Sequence, residues 1–253
     1  GTFQASVGQS SCIDSIPGWY VPVNSRIHQV ACPAGTYQPN STSSGISSCI
    51  DASAGYFAPG SASTVQTACG TGSYQPQTGQ NGCVDTSAGH YVDESAAIAQ
   101  TECAQGTYQS STGSSSCLTT QAGYFASGNA SIIQTACSPG TYQPSIGQTG
   151  CLTTQAGHYA GGSAETSQSA CQLGTYQPQP GQTSCIVAAA GSYVNSTGAS
   201  AAIACNPGTF QPSSGQSSCI DASSGYFAAG SNATSQAACS PGQYQPDTAQ
   251  SSC

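Results

Sequence analysis

Fifteen cysteines are the residues of this 253-residue chain best placed to do chemistry. They are Cys12, Cys32, Cys49, Cys69, Cys83, Cys103, Cys117, Cys137, Cys151, Cys171, Cys185, Cys205, Cys219, Cys239 and Cys253. Successive gaps are 20, 17 and 20 residues and then alternate strictly between 14 and 20. Thiols at such spacing have three possible fates: metal ligation, redox exchange or disulfide formation. The first two favour C-x-x-C pairs, and here the closest cysteines are 14 apart. Disulfides remain, and on this scale they require an oxidising compartment.

Four N-x-S/T sequons form a second set, at Asn40, Asn129, Asn195 and Asn232. Asn129, Asn195 and Asn232 lie 10 to 13 residues after a cysteine, and Asn40 lies in the interval lengthened to 17. In a secreted chain such sites accept N-linked glycans. His28, His90 and His158 are too scattered to suggest a metal site. Asp93, Glu94 and Glu102 form the one acidic cluster, with too few oxygen ligands for calcium. There is no G-x-S-x-G motif and no recurrent carboxylate pair. The expectation is a protein with no catalytic residues, no metal and no cofactor.

Only ten residues are charged, Arg26 against nine Asp and Glu, and the formal net charge is −8. A nucleic-acid groove needs clustered Lys and Arg, and a phosphate loop needs its Lys. Both are excluded as readings of this chain. The longest apolar run is six residues, 185–190, against about 20 for a membrane-spanning helix. No nucleic acid and no membrane span are therefore expected in this segment.

The cysteines define a 34-residue period with a three-residue insertion near 40–45. The units run 1–31 (partial), 32–68 (with the insertion), 69–102, 103–136, 137–170, 171–204, 205–238 and 239–253 (partial). A unit reads C-x-x-G-T-Y-Q-P-S-x-G-Q-x-x-C, then I/L/V-x-x-x-x-G-Y-F-A, then a loop and a run such as 131–136, S-I-I-Q-T-A. The aromatics fall in three columns. Tyr108 and Tyr142 typify the first. The second is mixed, with Trp19, Tyr56, His90, Tyr124, His158, Ser192 and Tyr226. The third, typified by Tyr91 and Phe125, is aromatic throughout. An all-aromatic column is expected inside the module, and a mixed one against solvent or a partner. The glycine before each pair, such as Gly123, is expected to supply a positive φ or a close backbone approach.

T-Y-Q and S-S-C-I read as short strands about a turn, and G-Y-F-A and I-I-Q-T-A as two more. No segment has a helical apolar stripe. The predicted fold is small and disulfide-rich, mostly irregular with short β-hairpins, in an elongated tandem-repeat rod of 34-residue period. Units too poor in apolar side chains to fold alone are stabilised by stacking on neighbours. Spacing leaves two pairings open, across the 14-residue gaps or across the 20-residue gaps. The insertion favours the former, because extra residues are easily held in a loop clamped at its base.

The motif C-P-x-G-T-Y-Q-P-S-x-G-Q-x-x-C resembles the cysteine-rich repeats of tumour-necrosis-factor receptors and ephrin-receptor ectodomains. It is most similar to the ephrin-receptor-like repeats of large extracellular proteins, with 137–151 and 205–219 the best copies. The resemblance implies pairs 32–49, 69–83, 103–117, 137–151, 171–185, 205–219 and 239–253. Cys12 would then pair with a residue three positions before Gly1, in a longer array. The family's C-P-A-G-Y-Y-C is here S-A-G-Y-F-A, Ser53 to Ala58, so one bridge per unit is missing. The expected function is a structural extracellular protein: a disulfide-clamped rod serving as a stalk, a matrix element or the protomer of a glycosylated filament. It would self-associate end to end or laterally and carry covalent glycans. A receptor or adhesin ectodomain binding a protein or glycan is the alternative.

Overall fold

The structure, a computed structural model, describes residues 1–24 and 26–253. The described residues form fourteen two-stranded antiparallel hairpins and one short 3-10 helix, Ile46–Ser48, within the lengthened interval between Cys32 and Cys49. Thr107–Tyr108 pairs with Leu118–Thr119. Seventeen residues on, Tyr124–Phe125 pairs with Thr135–Ala136 in the same register. Thr141–Tyr142 with Leu152–Thr153 follows after another seventeen. The 34-residue sequence period is therefore two hairpins of one geometry. One of each pair carries the cysteines, the cysteine hairpin, and from Cys32 on it is closed by a disulfide. The other ends in Q-T-A or a close variant, the glutamine hairpin.

Local sequence dictates this shape. Each first strand is entered through a tight turn such as Ser138-Pro139-Gly140-Thr141, in which the Thr141 N–H donates to the Ser138 carbonyl at 3.0 Å. Gly140 has φ 86°, the positive value a type II turn needs at its third residue, and Pro139 supplies the second. The strands are two residues long because the ladder is interrupted at once. The residue after it turns its backbone to the following hairpin.

The chain divides into two compact units, Gly1–Thr119 with Ser127–Ile133, and Thr120–Ala126 with Gln134–Cys253. In the first unit, the Gly89 N–H donates to the Gln109 carbonyl at 2.7 Å and Val92 to Ser114 at 3.1 Å. Gly113 returns a bond to Thr86 at 2.9 Å. The second unit repeats the set: Gly123 to Gln143 at 2.8 Å, Ala126 to Gln148 at 3.0 Å and Gly147 to Thr120 at 2.9 Å. In each unit, hairpins are thus joined to their successors by backbone bonds that leave few main-chain groups unpaired.

The interior is thin. Cys32, Cys69, Cys103, Cys137, Cys171 and Cys205 are fully buried, and the same place in the glutamine hairpins holds Ser15, Ala52, Thr86, Thr120, Thr154, Ala188 and Ala222. A second inner column alternates glutamine (Gln75, Gln109, Gln143) with alanine or valine (Val92, Ala126, Val194). The all-aromatic column is not part of this core, contrary to the expectation from its composition. Tyr91, Phe125 and Tyr159 are half-buried, as are the mixed-column residues Trp19, His90, Tyr124 and His158. The reason is steric: successive backbones approach too closely to enclose a ring. A Cβ placed on Gly123, whose φ is +84°, would overlap the carbonyl oxygen of Ala164, two hairpins on. An enclosed column has room only for Ser, Ala, Cys, Thr, Val or an extended Gln.

Gly123→Ala is expected to lose at least about 2 kcal/mol, from the left-handed φ and the backbone overlap together. Gly128→Ala, where a Cβ meets nothing within 4 Å, should stay within about 0.5 kcal/mol of the parent. Thermal unfolding of the two variants measures the contrast, and equal effects would refute the close-approach explanation.

Candidate functional surface

Seven disulfides join Cys32–Cys49, Cys69–Cys83, Cys103–Cys117, Cys137–Cys151, Cys171–Cys185, Cys205–Cys219 and Cys239–Cys253, with Cα separations of 5.7 to 5.8 Å. The short gaps are the closed ones, so six of the bridges tie the start of a cysteine hairpin to its second strand, and Cys239–Cys253 closes a segment after the last strand. Cys12 is free and exposed. It lines a groove of about 570 Å³ with Phe3 and Arg26.

The glutamine hairpins close differently. At the position of Cys117, seventeen residues later, stands Gln134, whose Oε1 accepts the Gln121 backbone N–H at 2.8 Å. Gln66, Gln100, Gln168 and Gln236 accept from Ser53, Ser87, Gln155 and Ser223 in the same way, at 2.7 to 2.8 Å. With Gln29 accepting from Ile16 at 3.2 Å, a side-chain amide thus takes the place of the disulfide in six of these seven hairpins; the exception is 188–204, where Ala202 stands. At the position of the buried cysteine, Thr86 Oγ1 accepts the Ser114 N–H at 2.8 Å, and Thr120 and Thr154 bond Gln148 and Gln182. Within the cysteine hairpins, Gln109 Nε2 donates to the Ser116 carbonyl at 2.8 Å while its Oε1 accepts from Ser111 at 3.1 Å. Among the described residues, no buried side-chain nitrogen or oxygen lacks a partner.

Sequence reasoning missed these glutamines and the seventeen-residue half-period. A signal was present: Gln stands three residues before the cysteine in Q-T-A-C at 134–137, Q-S-A-C at 168–171 and Q-A-A-C at 236–239. The glycines 106, 123, 140 and 157 and the aromatics 108, 125, 142 and 159 are likewise seventeen apart.

What the hairpins present outward is apolar and hydroxylic. Ile50, Val84, Leu118, Leu152, Ile186 and Ile220 recur on the second strands and are exposed, Leu118 by 47% and Leu152 by 49%. Each is the cross-strand partner of a half-buried aromatic, as Leu118 is of Tyr108. Shallow grooves recur as well. In the first unit, Tyr91, Asp93, Glu102, Thr107 and Ser116 line one of about 360 Å³. In the second, the corresponding Tyr193, Asn195, Thr209 and Ser218 line one of about 390 Å³.

The four sequon asparagines, Asn40, Asn129, Asn195 and Asn232, are exposed on loops. Asn232 adopts a positive φ of 61°. His90 and His158 each bring Nδ1 to a nearby carbonyl, of Ala88 and Ala156. His28 is exposed and separate from them in sequence. Among the described residues, no three His, Cys, Asp or Glu side chains converge as metal ligands, and no helix is long and apolar enough to cross a membrane. No protein-family model matches the sequence, and no curated protein matches it. Fold and site define a disulfide-rich tandem repeat of short hairpins, a build that fits an extracellular structural or binding protein.

Gln134→Ala is expected to weaken the fold by about 1 kcal/mol, one net hydrogen bond. Thr120→Cys combined with Gln134→Cys should form an eighth disulfide and add about 3 kcal/mol. Peptide mapping without reductant and thermal unfolding check both. Free thiols in the double variant would show that the two hairpin types are not equivalent.

Proposed function

We propose that the chain is a structural extracellular protein, a disulfide-clamped repeat array that forms a stalk, a matrix element or the protomer of a glycosylated filament. The observation that supports this most is the recurrence of one outward surface. The aliphatic positions Ile50 to Ile220 reappear with each cysteine hairpin, and contacts made by one repeat can be made by all. A catalyst or a monovalent receptor instead concentrates unlike groups at one place. With only ten charges, little like-charge repulsion opposes the approach of copies. Apolar residues at fixed intervals favour lateral association of chains carrying the same intervals. Glycans at Asn40, Asn129, Asn195 and Asn232 would keep the remaining surface soluble.

A second reading, a receptor or adhesin ectodomain, draws on the groove beside Tyr91. Asp93 and Glu102 make it acidic, unlike its counterpart at Tyr193, and a cationic peptide or protein loop would fit it.

Electron microscopy and sedimentation of the secreted chain separate the readings. Assembly should appear at micromolar concentration, and Leu118→Lys with Leu152→Lys should reduce it by about tenfold or more. A parent that stays monomeric throughout, with a ligand lost on Asp93→Asn, would favour the receptor reading.

A further inference from the structure

Hairpin 188–204 is the least tied of the glutamine hairpins. Its inner residue is Ala188, without the hydroxyl that Thr86, Thr120 and Thr154 give to the next hairpin. Its clamp position holds Ala202, where Gln29, Gln66, Gln100, Gln134, Gln168 and Gln236 stand in the others. It still pairs normally, Ser192 with Ala204 and Tyr193 with Ile203. The same hairpin carries the sequon Asn195-Ser196-Thr197. Asn195 lines a groove of about 390 Å³ together with Tyr193 of its own hairpin and Asn206, Thr209, Ser217 and Ser218 of the following one. That following hairpin is closed by Cys205–Cys219.

The groove's chemistry is that of a sugar site. A pyranose has an apolar C–H face and a rim of hydroxyls. The groove offers a half-buried aromatic ring, a side-chain amide and three hydroxyls, with no formal charge among these residues. Its size falls at the lower end of small-ligand pockets, on the order of 300–1,000 Å³. The corresponding groove at Tyr91 sharpens the contrast. There Asp93 and Ala104 replace Asn195 and Asn206, no sequon is present, and hairpin 86–102 has both its hydroxyl bond and its glutamine clamp.

We propose that an N-linked glycan on Asn195 is a structural clamp. Its first N-acetylhexosamine lies in the groove, with its apolar face on Tyr193 and its polar rim against Asn206, Thr209, Ser217 and Ser218. It ties hairpin 188–204 to the disulfide-closed hairpin that follows and replaces the missing amide and hydroxyl. This rests on the reading of the chain as a glycosylated extracellular protein. The sugar comes from a lipid-linked oligosaccharyl diphosphate. Asn195 Nδ2 forms the bond to the anomeric carbon as that carbon's bond to the diphosphate oxygen breaks. The lipid diphosphate leaves with the electron pair, and the amide proton passes to base.

The test uses the full chain secreted from glycosylating cells. Glycopeptide mass spectrometry reads occupancy. Peptide N-glycosidase, applied to the folded and then to the reduced and denatured chain, reads access at Asn195 against exposed Asn129 and Asn232. Release from folded protein should be about tenfold slower at Asn195, and equal at all three after unfolding. In a second arm, Thr197→Ala, at an exposed position, removes the sequon without touching the groove. It should speed hydrogen exchange at the Gly191 and Cys205 amides by about tenfold, and Ala202→Gln in the same chain should restore protection. An unoccupied Asn195 would overturn the clamp and count against the glycan reading itself. An occupied Asn195 released as fast as the controls, or exchange unchanged by Thr197→Ala, would overturn the clamp alone. The release comparison uses the unaltered chain and stands if a variant fails to fold.

Discussion

Main-chain bonds between successive hairpins are possible here only because nothing large lies between them. The residues enclosed are Cys, Ala, Ser, Thr, Val and Gln, and at most of the turns the glycine lets one backbone lie against the carbonyl of another. That proximity limits the apolar surface the chain can bury, so hydrophobic burial contributes less than in a domain with a Leu and Phe core. What compensates is a lattice of backbone hydrogen bonds, each of modest net worth. They are kept from exchanging with water by clamps that hold most of the hairpins shut.

Those clamps come in two chemistries on one geometry. The disulfide is covalent and restricts the unfolded chain. The glutamine amide acts in the folded state alone and is the weaker. Alternating them sets covalently closed hairpins beside weakly closed ones within each unit. Small repeats of this kind gain stability from nearest-neighbour interfaces more than from their own interiors. The low charge and the many hydroxyls and amides follow from the same constraint. Hairpins with so thin an interior expose most of their side chains, and these must be wettable without adding repulsion between repeats.

Much of this was legible in the residues. The cysteine gaps announced a 34-residue repeat, and T-Y-Q with S-S-C-I, then G-Y-F-A with I-I-Q-T-A, pointed to the strands that pair. The glycines before the aromatic pairs do adopt positive φ. Other features were hidden for physical reasons. Tyr108 and Phe125 occupy equivalent places in two hairpins, but T-Y-Q and G-Y-F-A share little beyond one ring, and dissimilar side chains masked the half-period. The aromatic column read as interior because Tyr and Phe usually provide burial. Here backbone proximity excludes them, a constraint visible only once successive hairpins are placed together. Gln134 and its counterparts looked like solubilising polar residues, since a bond to a backbone amide thirteen positions away leaves no trace in composition. Spacing left the disulfide pairing open between two sets of gaps, and the hairpin ladder decides it.

The central claim is that closed hairpins, and not an apolar interior, maintain the inter-hairpin bonds. Native hydrogen exchange before and after reduction and alkylation tests it most directly, read at the amides of Gly89, Val92, Gly123 and Ala126, which bond the next hairpin. Loss of protection at these amides of the glutamine hairpins, and at Gly140 and Gln143 of a cysteine hairpin, which also bond the next hairpin, under conditions that leave the oxidised chain folded, is the predicted result. Amides that remain protected with every disulfide reduced would contradict it.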